Sequence, residues 1–128
     1  MKEIVSTENA PSPAAGSPYS QAVKANGFLF VSGQIPLDRV TGEMIEGEIK
    51  EQALQAFTNL KAVLEAGGSS TGKVVKTTVF LTDLNDFEGM NRIYKVFFER
   101  DFPARSAVQV ARLPFGAKIE VEAIAVLD

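Results

Sequence analysis

A chain of 128 residues has the length of one domain, and with 45% hydrophobic residues it can bury a core of its own. Lys and Arg number 13 against 16 Asp and Glu, a formal charge of −3, which argues against a broad basic surface for nucleic acid. Cys and His are both absent, so disulfides, thiol chemistry, the common zinc sites and His-based triads are excluded. Proton transfer near neutral pH must then use Glu, Asp, Lys, Tyr, the amino terminus or water.

Ile4 and Val5 open the chain with a short apolar segment that allows an extra strand. No run has the length to cross a bilayer and the opening residues lack a secretion signal, so the expected compartment is the cytoplasm. Ser6 to Ser20 is rich in Ser, Pro, Ala and Gly and reads as an irregular loop. Tyr19, at its end, either lies over a pocket or packs the loop onto the body with its hydroxyl wet.

Ala22 to Ala25 and Phe28 to Ile35 flank Asn26-Gly27, a dipeptide that accepts positive φ at both positions and predicts a hairpin. Ser32-Gly33 interrupts the second strand, and a glycine there marks a bulge or a close approach of backbone to a neighbour or ligand. The segment from Glu46 to Gly67 contains a helix whose stripe is Ile49, Ala53, Ala56, Phe57, Leu60, Val63 and Leu64. Its opposite face, including Gln55, Thr58 and Asn59, is expected to be solvated, and Gly67-Gly68 to end it.

Val74 to Thr82 is β-branched and strand-like. Asn85 and Glu88 have the spacing of a capping box for a second helix over about Asp86 to Glu99. Phe87, Met90, Ile93, Tyr94, Phe97 and Phe98 form that helix's apolar side; Asn91 sits beside it, either aimed into a site or locally bonded.

Phe102 to Val110, the turn Arg112-Leu113-Pro114-Phe115-Gly116 and the alternating run Lys118 to Val126 complete the chain. Two such strands joined by a short turn are expected to pair, which would bring Arg105 and Glu120 together, as an ordinary ion pair or as a site that binds a small carboxylate and moves a proton. In the last run Ile119, Val121, Ala123, Ala125 and Leu127 share one face. Glu120, Glu122, Ile124 and Val126 share the other, a mixture expected to be half covered by another subunit. The order of elements predicts an α+β domain over residues 1–128, with two helices on one face of a mixed sheet.

Six stretches together carry a resemblance: Pro18-Tyr19-Ser20-Gln21-Ala22, Val31 to Pro36, Val75 to Leu84, Asn91-Arg92-Ile93-Tyr94, Pro103-Ala104-Arg105-Ser106 and Ile119 to Val126. In this order over nearly the whole chain, they resemble the RidA (YjgF) family of reactive imine deaminases. The resemblance implies a chorismate-mutase-like fold and a homotrimer with a barrel-like core and clefts between subunits. It also implies hydrolysis of 2-imino acids, in exchange with enamines such as 2-aminoacrylate, to 2-keto acids and ammonia, with no metal or cofactor. It assigns the substrate carboxylate to Arg105, whose planar fork suits two oxygens, and the positioning or activation of water to Glu120. Tyr19 and Asn91 would line the cleft, with Ser32, Gly33 and Ala107 as backbone or wall positions. Some members have Cys where this chain has Ala107.

Other readings are a non-catalytic trimer that binds small carboxylates or partner proteins, a ribonuclease, and a chorismate mutase by analogy of fold. The acidic balance and absence of His weigh against the second, and fold alone does not support the third. Neither nucleic acid nor membrane is an expected partner.

Overall fold

The computed structural model describes residues 1–13 and 16–128. Most of the predicted Ser6–Ser20 loop is among them; its positions 14 and 15 lie outside. The strands are β1 (Glu3–Val5), β2 (Ala22–Ala25), β3 (Phe28–Gln34), β4 (Val74–Leu81), β5 (Ala104–Gln109) and β6 (Ile119–Val126), and the helices are α1 (Ile49–Ala66) and α2 (Phe87–Phe98). One sheet orders the strands β1-β2-β3-β6-β4-β5. All neighbours are antiparallel except β4 and β5, which are parallel and joined through α2, the crossover that parallel neighbours require.

The Asn26-Gly27 turn forms as its chemistry predicts, with φ of 55° and 83°. In α1 the predicted stripe is buried, and Glu51 accepts the Glu48 N–H at 3.0 Å to start the helix. Gly67 ends it, donating to the Val63 carbonyl at 3.0 Å. A Cβ at Gly67 would sit 2.6 Å from Leu29 Cδ2, so glycine there lets α1 close onto β3. Phe57 is the centre of the helix layer, with Phe97 stacked at 5.2 Å and Tyr94 edge-on at 5.7 Å. Beneath the helices the sheet presents Leu29, Val31, Val79, Leu81, Ile119, Val121 and Ala125, all buried in one core.

Three expectations are corrected. Asn59 is buried, and its side chain donates to the carbonyls of Ile35 and Leu37 at 3.1 and 3.0 Å. The Ile35 carbonyl also accepts the Leu37 N–H at 2.8 Å, and for the Leu37 carbonyl the helix supplies the donor. The Asn85–Glu88 capping box does not form: Asp83 caps the short turn Leu84–Asp86 that leads into α2, accepting the Asn85 N–H at 2.9 Å. α2 itself starts after Asp86 without a side-chain cap, and Glu88 turns outward to Arg92 at 3.1 Å.

The third correction concerns the final two strands, which do not pair. β6 lies between β3 and β4, and β5 is the far edge. The α2 crossover places β5 beside β4, and β6, with every second residue buried, takes an interior slot. Arg105 is in register with Thr77, and Glu120 with Phe80 on the same strand, so β4 separates them. They lie about 10 Å apart across the sheet and about 10 Å along it, on opposite faces: Arg105 touches α2, and Glu120 shares the side of the sheet that no helix covers. That uncovered side carries Phe28 and Phe30, both exposed, beside half-buried Ile124 and Val126.

Candidate active site

Glu120 stands in a cavity of about 750 Å³ walled by Tyr19, Ser32, Gly33, Pro114 and Phe115. The pairing of β3 with β6 slips between Val31 and Gln34, so Ser32-Gly33 is a bulge. There the backbone and the Glu120 side chain meet: a Cβ on Gly33 would lie 2.7 Å from Glu120 Cδ. Only glycine leaves room for this carboxyl group. Ser32 Oγ donates to the Ser20 carbonyl at 2.6 Å, which ties the bulge to the loop that carries Tyr19. Gln21 holds the loop from the other end: its amide donates to the carbonyls of Thr7 and Pro11 at 3.1 and 2.9 Å and accepts the Thr7 N–H at 2.7 Å. Tyr19 remains exposed at the cavity mouth.

Burial, with a smaller contribution from the Glu122 charge, holds the Glu120 carboxyl above its ordinary 4.5. No cation pairs with it among the described residues. A raised, unpaired carboxyl in a cavity is suited to accepting and returning a proton near neutral pH.

Arg105 has a different setting. Phe87, Asn91 and Tyr94 recur at helical spacing on α2, so they share one face, and all three touch the guanidinium. Arg105 Nη1 donates to Asn91 Oδ1 at 2.6 Å, and its Cζ lies 4.7 Å from the Tyr94 ring centre and 5.3 Å from that of Phe87. Both rings are within cation–π range. Tyr94 is fixed in turn by a 2.7 Å hydrogen bond with Thr77 Oγ1, and burial raises its phenol against the opposing pulls of Thr77 and Arg105. Arg105 is half-buried and, among the described residues, has no carboxylate partner. Its remaining N–H donors are available to an anion.

The predicted residues thus fall into two groups. Tyr19, Ser32, Gly33 and Glu120 gather at the cavity; Asn91 and Arg105 gather at the β5 edge, where Ala107 packs half-buried against the core. Sequence reasoning missed the roles of Phe87 and Tyr94 as a platform, although their spacing with Asn91 was the available signal. It also missed Phe115 as a cavity wall, for which there was none. No three His, Cys, Asp or Glu side chains gather as a metal site among the described residues.

The model of the family described as endoribonuclease L-PSP matches residues 7–127. A RutC family protein of Pyrococcus horikoshii is 54% identical, with 98% of each chain covered. The mouse 2-iminobutanoate/2-iminopropanoate deaminase is 48% identical over 98% of this chain and 92% of its own. The crystal structure of E. coli TdcF with bound serine superposes with a TM-score of 0.91 at 46% identity, covering 98% of this chain and 99% of that one. With its six motifs in order along one α+β domain, the chain belongs to the endoribonuclease L-PSP family, that of RidA and YjgF.

Proposed function

We propose that this protein hydrolyses 2-imino acids such as 2-iminopropanoate and 2-iminobutanoate to 2-keto acids and ammonia, at clefts formed between copies of the chain. The observation that carries the reading is Arg105: a half-buried guanidinium, oriented by Asn91 and two aromatic rings and lacking an internal carboxylate. Such a group binds a planar carboxylate through paired N–H donors. A relative named for this reaction at 48% identity agrees with it. So does the serine in TdcF, an amino acid with the same carboxylate.

In this reading Arg105 of one chain holds the substrate carboxylate, and Glu120 of another faces its C2 carbon. The Glu120 carboxylate takes a proton from water as the oxygen attacks C2 of the N-protonated imine, which gives a carbinolamine. Glu120 then returns the proton to nitrogen, the C–N bond breaks, and the carboxylate so regenerated takes the hydroxyl proton as the carbonyl forms and passes it to water. Ammonia and a 2-keto acid result. An iminium carbon is electrophilic already, so holding the substrate and moving protons suffice.

The two groups lie on opposite faces of one sheet, so a complete site takes each from a different chain. The uncovered apolar side of the sheet supports such an assembly, and a homotrimer is the form the family resemblance implies. The test is subunit mixing. Arg105→Ala and Glu120→Gln should each lose turnover of freshly generated 2-iminopropanoate. Unfolded and refolded together in equal amounts, they should regain about a quarter of wild-type activity, since chance pairing rebuilds that share of the sites. No recovery in well-folded mixed oligomers refutes the shared site. Wild-type protein that binds carboxylates without accelerating imine decay would be the non-catalytic binder instead.

A further inference from the structure

Among the described residues, Asn26, Glu99, Asp101 and Phe115 are non-glycine residues with positive φ, and Phe115 is the one aromatic of the four. Its backbone is left-handed, with φ 60° and ψ 19°, although Gly116 stands next to it. A Cβ-bearing residue is disfavoured there by its clash with the carbonyl oxygen, and a bulky one is rare. The ring gains nothing from the core in return: the residue is 68% exposed. It is instead part of the wall of the Glu120 cavity. Strain of this kind collects where a side chain must be presented to something outside the fold.

Its surroundings indicate what it is presented to. The cavity lining joins the polar groups of Ser32, Gly33 and Glu120, with the charged Arg39 and Glu122 among them, to apolar side chains from Leu37, Val40, Pro114 and Phe115 and the ring of Tyr19. Tyr19 and Val40 are, like Phe115, more than half exposed, at 53% and 77%. Apolar side chains beside polar groups that fix an orientation are the make-up of a small-molecule site, and about 750 Å³ is ample for a substrate with a side chain larger than methyl.

We infer that Phe115 is a specificity-determining residue that contacts the substrate side chain and directs the site to 2-imino acids with large apolar side chains, such as those from leucine and phenylalanine. The inference rests on the deaminase reading and narrows its substrate class. The left-handed backbone holds the ring at the cavity wall while the reacting carbon stays near Glu120.

The experiment compares kcat/KM for imines made in place from leucine, phenylalanine and alanine by an L-amino-acid oxidase with catalase. Background hydrolysis is subtracted and the imine is trapped competitively with semicarbazide. Wild-type protein is expected to take the leucine- and phenylalanine-derived imines at least as well as 2-iminopropanoate. Phe115→Gly and Phe115→Asn both suit a left-handed backbone and remove the ring. Each should lower the ratio of large-substrate to small-substrate kcat/KM about tenfold, the scale on which a pocket discriminates by apolar contact. Thermal midpoints should hold or rise, which separates lost contact from lost fold. If 2-iminopropanoate is still consumed and the ratio stays within about twofold of wild type, the inference is overturned and the deaminase reading stands. If the ratio is unchanged while the oligomer loosens, the ring belongs to a subunit contact and the inference again fails. A wild type that accelerates the decay of none of the three imines overturns both.

Discussion

Replacing Gly33 with alanine tests the link between the β3 bulge and the chemistry. The φ of Gly33 is not in the left-handed region, so alanine introduces no backbone strain. The whole effect falls on Glu120. The new Cβ would lie 2.7 Å from Glu120 Cδ, where ordinary contact begins at 3.4 Å, and a carboxylate oxygen is nearer still. The carboxyl group must therefore retreat by about 1 Å, a displacement that can lower a rate about 100-fold when it spoils the alignment of a reacting group. The side chain is flexible enough to move with a rotamer strain of about 1 kcal/mol, so the fold survives. Gly33→Ala should lower kcat for 2-iminopropanoate about 100-fold, change KM little because Arg105 still holds the carboxylate, and shift the urea midpoint only slightly. Ammonia release followed with glutamate dehydrogenase reads the rate. An alanine variant with wild-type kcat would show that the carboxyl position beside Gly33 is not the reactive one.

The remaining expectations concern charge and the buried polar groups. Glu120 must be ionised to act as a base, so activity falls as pH drops through its folded pKa, which lies above 4.5. Glu122→Gln removes the like charge that helps to raise it, so the acidic limb of kcat/KM should move to lower pH, more at low ionic strength than in 0.5 M salt; an unmoved or raised limb at low salt contradicts the assignment. Asn59→Ala leaves the Leu37 carbonyl without its donor and the Ile35 carbonyl with the Leu37 N–H alone, and should destabilise the protein by about 2 kcal/mol in urea unfolding; a change below about 0.5 kcal/mol would mean that water replaces the amide.

What the sequence disclosed was what local rules govern. Asn26-Gly27 dictates its own turn, the α1 stripe its own burial and the alternation of β6 its two faces. Pairing order is different, because a strand's neighbour is decided by competition among distant segments. β5 and β6 are adjacent in the chain, yet β4 takes the place between them, since the α2 crossover and the burial of β6 outweigh proximity. Asn59 was misjudged for another reason. Its spacing from Ala56 and Val63 put it on the buried stripe, but its amide suggested water, and the carbonyls that need it come from a segment more than 20 residues away. The candidate site was legible as a set of residues through the resemblance and illegible as an arrangement, because a left-handed Phe115 and a carboxyl tucked against a bulge follow from no local pattern.

The placement of Arg105 and Glu120 on opposite sides of one sheet has a consequence for dosage. If each cleft borrows from two chains, a lone protomer has no activity whatever its fold, and specific activity declines on dilution as the assembly comes apart. Damage to either half is also shared: a chain lacking its guanidinium disables one cleft of every assembly it joins and leaves intact the cleft to which it lends its carboxylate.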